Sequence, residues 1–308
     1  MTKNDEIVIS HLIPLFRSHR FLEVIAENIE ELALPHSEII LADRNGDSAF
    51  CNKLRDRIGE RKNVRILCDD SNINWVENIR DLINHARGKY LQILPHDDTT
   101  PLSSIEALCA ALDAAPDAVL AYGRVRAFDL ANRPMPERDE LNSSEDPTAT
   151  SWTLDDALPL FWIGRFAGAF KGVIRSAVAQ DRRHVFQATP TTIYSERAWL
   201  FSLALAGRFV FVPTDMLHKR YYPESTHRSW VVTPEVFQDV ADQMVASVQA
   251  ALTDDEIRAY ATRDILTNAK FRVDALRNPD ADRFIYEPYQ FSEHRRLRER
   301  RLGWVAGS

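Results

Sequence analysis

Between residues 7 and 122 the chain alternates short aliphatic runs with stretches whose apolar residues recur at helical spacing. Ile7-Val8-Ile9-Ser10 reads as a strand, and Ile25, Ile29 and Leu32 then line one face of a helix. Glu38-Ile39-Ile40-Leu41-Ala42 is a second strand, closed by Asp43 and the turn cluster Asn45-Gly46-Asp47, with a helix following to about Gly59. Val64-Arg65-Ile66-Leu67 is a third strand. Trp75 to His85 carries Val76, Ile79, Leu82 and Ile83 at helical spacing, and Gly88 stops it. Tyr90-Leu91-Gln92-Ile93-Leu94, a fourth strand, runs into Pro95-His96-Asp97-Asp98. A helix over Ile105 to Leu112 and a strand over Ala118 to Tyr122 complete the series. Such alternation builds βαβ units on a mostly parallel sheet. Ligands of such sheets sit beyond the C-terminal ends of the strands. Asp43, Asp97 and Asp98 all fall just past predicted strand ends.

The second part of the chain is less regular. Residues 129–150 are polar and rich in Pro, Asn, Ser and Asp, and read as a loop or linker. Residues 151–232 carry many aromatics, among them Trp152, Phe161 and Trp162. They also contain a helix from about Ser195 to Ala206 and the strand Arg208-Phe209-Val210-Phe211-Val212. Thr233-Pro234-Glu235 is a helix start, with Val236, Phe237, Val240, Met244 and Val248 on one apolar face. Thr253-Asp254-Asp255-Glu256 reads as a capping box for another helix. The expected units are therefore 1–128, a linker at 129–150, 151–232, and a helical C-terminal extension at 233–308.

Composition removes several function classes. The 308 residues are 45% hydrophobic and 27% charged, which excludes disorder along the whole length. A net charge of -7 argues against binding nucleic acid through its phosphates. Cys51, Cys68 and Cys109 match no zinc spacing and suit a reducing compartment. No apolar run reaches the ~20 residues that cross a bilayer, and the polar start lacks a secretory pattern. The expected location is cytoplasmic.

His96-Asp97-Asp98 is the segment richest in chemistry. Two adjacent carboxylates at a strand end suit a hard divalent cation with oxygen ligands, which could bridge a nucleoside diphosphate. The competing reading is an acidic N-cap for the helix after Pro101. Asp43 has a competing reading as a turn former with Asn45-Gly46. Asn72 and Asn78 have one as a helix cap and a solvated helix position.

Taken in order, the motifs resemble one family. Ile13-Pro14-Leu15-Phe16 follows strand one, and Leu41-Ala42-Asp43-Arg44-Asn45-Gly46-Asp47 follows strand two. Ser71-Asn72-Ile73-Asn74-Trp75-Val76-Glu77-Asn78 opens a helix that ends in Ala86-Arg87-Gly88-Lys89-Tyr90, and the next strand ends in Asp97-Asp98. This series resembles the family 2 glycosyltransferases, over residues 7–128 and more loosely over 164–230. The resemblance implies a GT-A-like, Rossmann-type, mostly parallel α/β sheet flanked by helices. It implies an inverting transfer from a nucleoside-diphosphate sugar, of UDP, GDP or dTDP type, to a glycan or lipid-linked saccharide acceptor in polysaccharide biosynthesis. Pro14, Phe16, Asp43, Asn72, Asn78, Asp97 and Arg220 would bind the nucleotide sugar. Asp97 and Asp98 would hold Mn²⁺ or Mg²⁺, with His227 as a further ligand. The chain departs from the family at Pro95, where an Asp is usual, and at Tyr222, where a His is usual.

The same resemblance places a catalytic base at Glu196, within Tyr194-Ser195-Glu196-Arg197-Ala198-Trp199-Leu200. A carboxylate there can take the proton from an attacking hydroxyl. The competing reading is a first-turn acid favoured by the helix dipole. The run His218-Lys219-Arg220-Tyr221-Tyr222-Pro223-Glu224-Ser225-Thr226-His227 could neutralise a departing diphosphate, or be a solvated basic loop. Trp152, Phe161, Trp162 and Trp199 are either core or sugar-stacking residues. Arg295-Arg296-Leu297-Arg298 and Arg300-Arg301, beside Leu302 and Trp304, could touch an anionic membrane surface, or form a solvated terminal helix. Two rivals remain at this level: a degenerate relative that binds sugar nucleotide or carbohydrate without turnover, favoured by Pro95, and a sugar-nucleotide nucleotidyltransferase. The absence of glycine from residues 7–25 disfavours the second.

Overall fold

The structure is a computed structural model and describes residues 7–139, 161–162, 166–225 and 229–277. Strand β1 (Ile9–Leu15) leads into helix α1 (Leu22–Leu32), then β2 (Ser37–Asp43), α2 (Ser48–Ile58), β3 (Val64–Cys68), α3 (Trp75–His85) and β4 (Tyr90–Ile93). Then come α4 (Leu102–Ala114), β5 (Ala118–Phe128), β6 (Val173–Arg175), α5 (Ser195–Ala206), β7 (Arg208–Arg220), α6 (Pro234–Ala251) and α7 (Asp255–Arg277).

The seven strands form one sheet in the order β3-β2-β1-β4-β6-β5-β7. β1 runs parallel to β2 and β4, and β2 runs parallel to β3. Short β6 pairs antiparallel with both β4 and β5, and β5 and β7 run parallel along a long ladder. The chain therefore has the mostly parallel, helix-flanked sheet that the strand–helix alternation predicts. Every residue of β2 is buried, which is why its sequence is a near-continuous apolar run rather than an alternating one.

The helices form where the spacing of apolar residues lets one stripe reach the sheet. On α1, Leu22, Ile25, Ile29 and Leu32 are all buried, and each such side chain removed from water contributes about 2 kcal/mol. The observed span of α3 matches the expected one. Both predicted later strands are longer than their apolar runs, β5 continuing to Phe128 and β7 to Arg220. Two local readings change. The cap of α7 is Asp254, whose Oδ1 accepts from Ile257 N at 3.0 Å, rather than Thr253. Phe161, Trp162 and Trp199 are core residues, no more than 3% exposed. Trp152 lies outside the described residues. No described helix is long and apolar enough to cross a membrane.

Candidate functional site

The segment after β4 is held in place by a distant strand. Leu94 N still donates to Leu12 O of β1 at 2.9 Å, and Asp98 N closes a turn onto Pro95 O at 3.1 Å. Thr99 and His218 exchange backbone hydrogen bonds of 3.1 and 2.8 Å, and Thr100 Oγ1 donates to Met216 O at 2.7 Å. The loop is thus fastened to the end of β7.

This fastening separates the two carboxylates. Asp98 turns inward and is 2% exposed. Its Oδ1 accepts from Arg220 N at 2.8 Å, and its carbonyl accepts from Asn28 Nδ2 at 2.8 Å. Burial, and then the neighbouring Asp97, push its carboxyl well above the usual carboxylate range, against opposing pulls that include Lys171 and Lys219. Asp97 remains half-buried. Its Oδ2 accepts from Tyr222 Oη at 2.6 Å, and its carbonyl accepts from Arg220 Nη1 at 2.7 Å. Arg220 also donates from Nη2 to Asn132 Oδ1 at 3.0 Å. Its guanidinium is therefore a clasp for the acidic loop. The acidic N-cap reading fails: Pro101 occupies the cap of α4, without a side-chain cap bond.

Cationic and aromatic groups flank Asp97. Arg20 lies over the Tyr222 ring at 4.2 Å and the Phe21 ring at 4.9 Å, and pairs with Glu224 at 3.2 Å. His96 Nδ1 contacts Pro14 O at 3.2 Å, joining this loop to the end of β1. Burial pulls its imidazole below the ordinary value, toward the neutral form.

Asp43 ends β2 at the same edge of the sheet, in register with Leu15 of β1. It is 2% exposed. Its Oδ1 accepts from Asn45 N at 2.9 Å and Asp47 N at 3.1 Å, so the turn-forming reading is realised. Gly46 in that turn has φ +74°, a region glycine enters without strain. Asp47 then caps α2, its Oδ1 accepting from Phe50 N at 3.0 Å. Arg44, nearly buried, pairs with Asp69 and Asp81 and fixes the turn against α3.

The asparagines divide their expected roles. Asn74, not Asn72, caps α3, in a complete capping box with Glu77. Asn72 is exposed, has φ +51°, and donates its backbone N–H to Arg44 O at 2.7 Å. Asn78 is buried and donates from Nδ2 to Ala42 O at 3.1 Å, so it holds α3 to the end of β2. Pro14 is half-buried in β1, and Phe16 is 44% exposed beneath Arg17, whose guanidinium lies 5.0 Å from its ring.

Glu196 sits half-buried in the first turn of α5. Tyr194, just before the helix, has φ +60°, and Ser195 Oγ accepts from Thr189 N at 3.0 Å and donates to Thr192 O at 3.0 Å. This bracing fixes where the helix starts and hence where Glu196 stands. His227 and the C-terminal arginine run lie outside the described residues.

Magnesium and manganese need several oxygen ligands. Among the described residues, no three His, Cys, Asp or Glu side chains are grouped to hold a metal. Asp98 is buried and engaged, and Asp97 keeps only Oδ1 clear of the Tyr222 bond. These donors do not fit a metal held by both carboxylates. The sequence motifs do not announce that Tyr222 and Asn28 bond the acidic loop or that Arg20 lies over Tyr222.

No protein-family model matches the sequence, and no curated protein matches it. Solved structures do match. TarS 1-349 from S. aureus, solved in complex with UDP-GlcNAc, aligns with a TM-score of 0.60 at 14% identity, covering 85% of this chain and 72% of that one. The same fragment in complex with UDP aligns with a TM-score of 0.57 at 14% identity, over 84% and 70%. Against the TarS chain solved at greater length, the match covers 43% of that chain. The mannosyltransferase PcManGT from Pyrobaculum calidifontis, solved with GDP-Man and Mn²⁺, aligns at 14% identity over 92% and 82%, with a TM-score of only 0.48. By its sheet topology and the TarS matches the chain has a GT-A-like α/β fold.

Proposed function

We propose that this protein is a glycosyltransferase, moving a sugar from a nucleoside-diphosphate sugar to an acceptor hydroxyl. One observation carries the reading. Asp43 and the Asp97-Asp98 loop stand at the same edge of a GT-A-like sheet, on either side of the β1 end, in a fold whose neighbour TarS holds UDP and UDP-GlcNAc. A UDP-sugar is therefore the donor proposed first, ahead of the GDP and dTDP types.

In the proposed reaction the acceptor oxygen attacks the anomeric carbon, and the bond from that carbon to the diphosphate oxygen breaks. A single displacement of this kind inverts the centre. Glu196 takes the acceptor proton. Asp43, whose turn is already braced, accepts hydrogen bonds from the nucleoside, beside Pro14, Phe16, Asn72 and Asn78. Asp97 orients the donor, and Arg220 keeps both loop acids in place. Arg20, Lys171 and Lys219 offset the charge on the leaving diphosphate. The Mn²⁺ or Mg²⁺ expected from the sequence finds too few ligands among the described residues, so no step is routed through it. Membership of family 2, a cytoplasmic location and a role in glycan or polysaccharide synthesis accompany this proposal, with the acceptor a glycan or lipid-linked saccharide.

The engagement of Asp97 by Tyr222 and Asp98 by Arg220 favours one rival, a protein that binds the donor without turnover. Release of UDP from UDP-GlcNAc in the presence of candidate acceptors separates the two. The wild type should release UDP, and Glu196→Gln should bind donor equally but turn over roughly 100-fold more slowly or worse. Binding with no release by the wild type supports the rival. Undiminished turnover by the variant removes Glu196 from the reaction.

A further inference from the structure

Two of the three cysteines meet beside the Asp43 turn. Cys68 is the last residue of β3 and stands in register with Asp43 of β2. Cys51 lies near the start of α2, buried, and its N–H donates to Asp47 O at 3.0 Å. α2 runs back along β3: one helical turn beyond Cys51, Arg55 Nη2 donates to Ile66 O at 3.3 Å. Cys51 and Arg55 share a helix face, and Ile66 and Cys68 share a strand face. The same packing therefore brings Cys51 against Cys68, and their thiols share a hydrogen bond. Both cysteines are reduced, and Cys68 stays partly open to solvent.

The Asp43 turn bridges these two residues. On one side, Cys51 is bonded to Asp47, whose N–H donates to Asp43 Oδ1 at 3.1 Å. On the other, Asp69 follows Cys68. Its N–H donates to Asp43 O at 3.1 Å, its carbonyl accepts from Gly46 N at 2.9 Å, and its side chain pairs with Arg44. The turn has little slack, since a Cβ on Gly46 would lie 3.2 Å from Asp70 Cβ. A disulfide sets its sulfurs about 2.05 Å apart, well inside a hydrogen-bond contact. Closing one here draws α2 onto the end of β3 and compresses the turn from both sides.

We infer that Cys51 and Cys68 are a reversible disulfide site, closed by exchange with a low-molecular-weight disulfide, and that closure breaks the Asp43 turn bonds. Cys68, the accessible member, attacks the small disulfide as its thiolate. A mixed disulfide forms and one small thiolate leaves. Cys51 gives its proton to solvent and attacks Cys68 Sγ. The Cys51–Cys68 bond forms, the mixed disulfide breaks, and the second small thiolate leaves. The protein loses two protons and two electrons, and the small disulfide takes both electrons. Burial, and then the Cys68 contact, push the Cys51 thiol up, so the second step is the slow one. Closure acts on the nucleotide site through Asp43, and this consequence alone rests on the glycosyl-transfer reading above.

Incubating the full chain with oxidised glutathione tests this. Non-reducing peptide mass spectrometry should find Cys51 linked to Cys68, with Cys109 of α4 outside the link. The N–H groups of Asn45 and Asp47 donate to Asp43 Oδ1 and so report on the turn directly. Their hydrogen exchange should speed up roughly tenfold on closure, and dithiothreitol should reverse it. UDP should bind roughly tenfold more weakly to the closed form. Cys68→Ser and, separately, Cys51→Ala should abolish all three responses, and Cys109→Ser should keep them. Glutathione on Cys68 without an internal link overturns the site. A link that leaves both amides unchanged overturns its action on the turn, and equal UDP affinity in the two forms overturns its action on the nucleotide. If the link forms and the amides respond while neither form binds UDP, the donor reading fails and the thiol site stands.

Discussion

At the scale of single residues, burial decides which acids and bases act and which only hold the fold. His11 lies in β1 in register with Gln92 of β4, 1% exposed, with its Nδ1 2.8 Å from Gln92 Oε1. Burial lowers its pKa to about 4, against the opposing Gln92 bond. The unfolded chain, with a pKa near 6.5, then binds more protons than the folded one between those values. Stability should fall as pH drops from about 6.5 to about 4, by roughly 3 kcal/mol, and this contribution should level off below. Urea unfolding across that range should show the slope, and His11→Asn should flatten it. Parallel curves for the two proteins would remove His11 as the source. Asp43 takes up the turn-forming reading, and its proposed nucleotide contact is open to test. It forms a turn with Oδ1, as Asn45-Gly46 announces, and the turn presents the carboxylate at the strand end. Asp43→Asn keeps one carbonyl oxygen for the turn, so it should cost less than about 1 kcal/mol of stability while weakening UDP binding. Equal losses of stability and affinity would mean that the turn is its whole role.

At the scale of elements, what could be read early is what neighbouring residues dictate. The span of α3 follows from Val76, Ile79, Leu82 and Ile83 at helical spacing and from Gly88 beyond its end. The inward turn of Asp98 could not be read in this way. It depends on Arg220, 122 positions away, and Asn28, 70 positions away. The stacking of Trp230 on Trp75, with ring centroids 6.3 Å apart, is likewise long-range, and neither residue stands out as a partner in the linear pattern. The Arg87-Gly88 motif gains a different meaning from its contacts. Arg87 N, Nε and Nη2 all donate to Glu38, at 2.6, 3.0 and 2.9 Å, and Ser10 Oγ donates to the same carboxylate at 2.7 Å. Gly88 N donates to Ser10 Oγ at 2.9 Å, and a Cβ on Gly88 would lie 2.7 Å from Ser10 N. This joint ties β1, β2 and the approach to β4 at the end of the sheet opposite the acidic loop. Glu38 is 1% exposed. Burial alone would raise its carboxyl, but the Ser10 and Arg87 bonds hold it below the usual value. Glu38→Ala should therefore cost about 3–5 kcal/mol in denaturant unfolding. A loss under about 1 kcal/mol would contradict a structural role for the joint.

At the scale of the molecule, strands from both halves of the chain enter one sheet. β6 lies between β4 and β5, and β7 closes the far edge. The acidic loop can be fastened to Arg220 only because β7 returns parallel to β5 along its whole length. The same fastening sets the charge arrangement of the site. Tyr222 and Arg220 occupy the loop acids, and Arg20, Lys171 and Lys219 supply positive charge nearby. The donor diphosphate should then bind through side-chain cations, with an affinity that changes less than about threefold between EDTA and Mn²⁺. Calorimetric titration of the protein with UDP in EDTA tests the central claim most directly, alongside Asp43→Asn under the same conditions. One UDP should bind per chain without added metal, and the variant should bind roughly tenfold more weakly. Absence of binding under every metal condition, or equal affinity in the variant, would contradict a nucleotide site at this edge of the sheet.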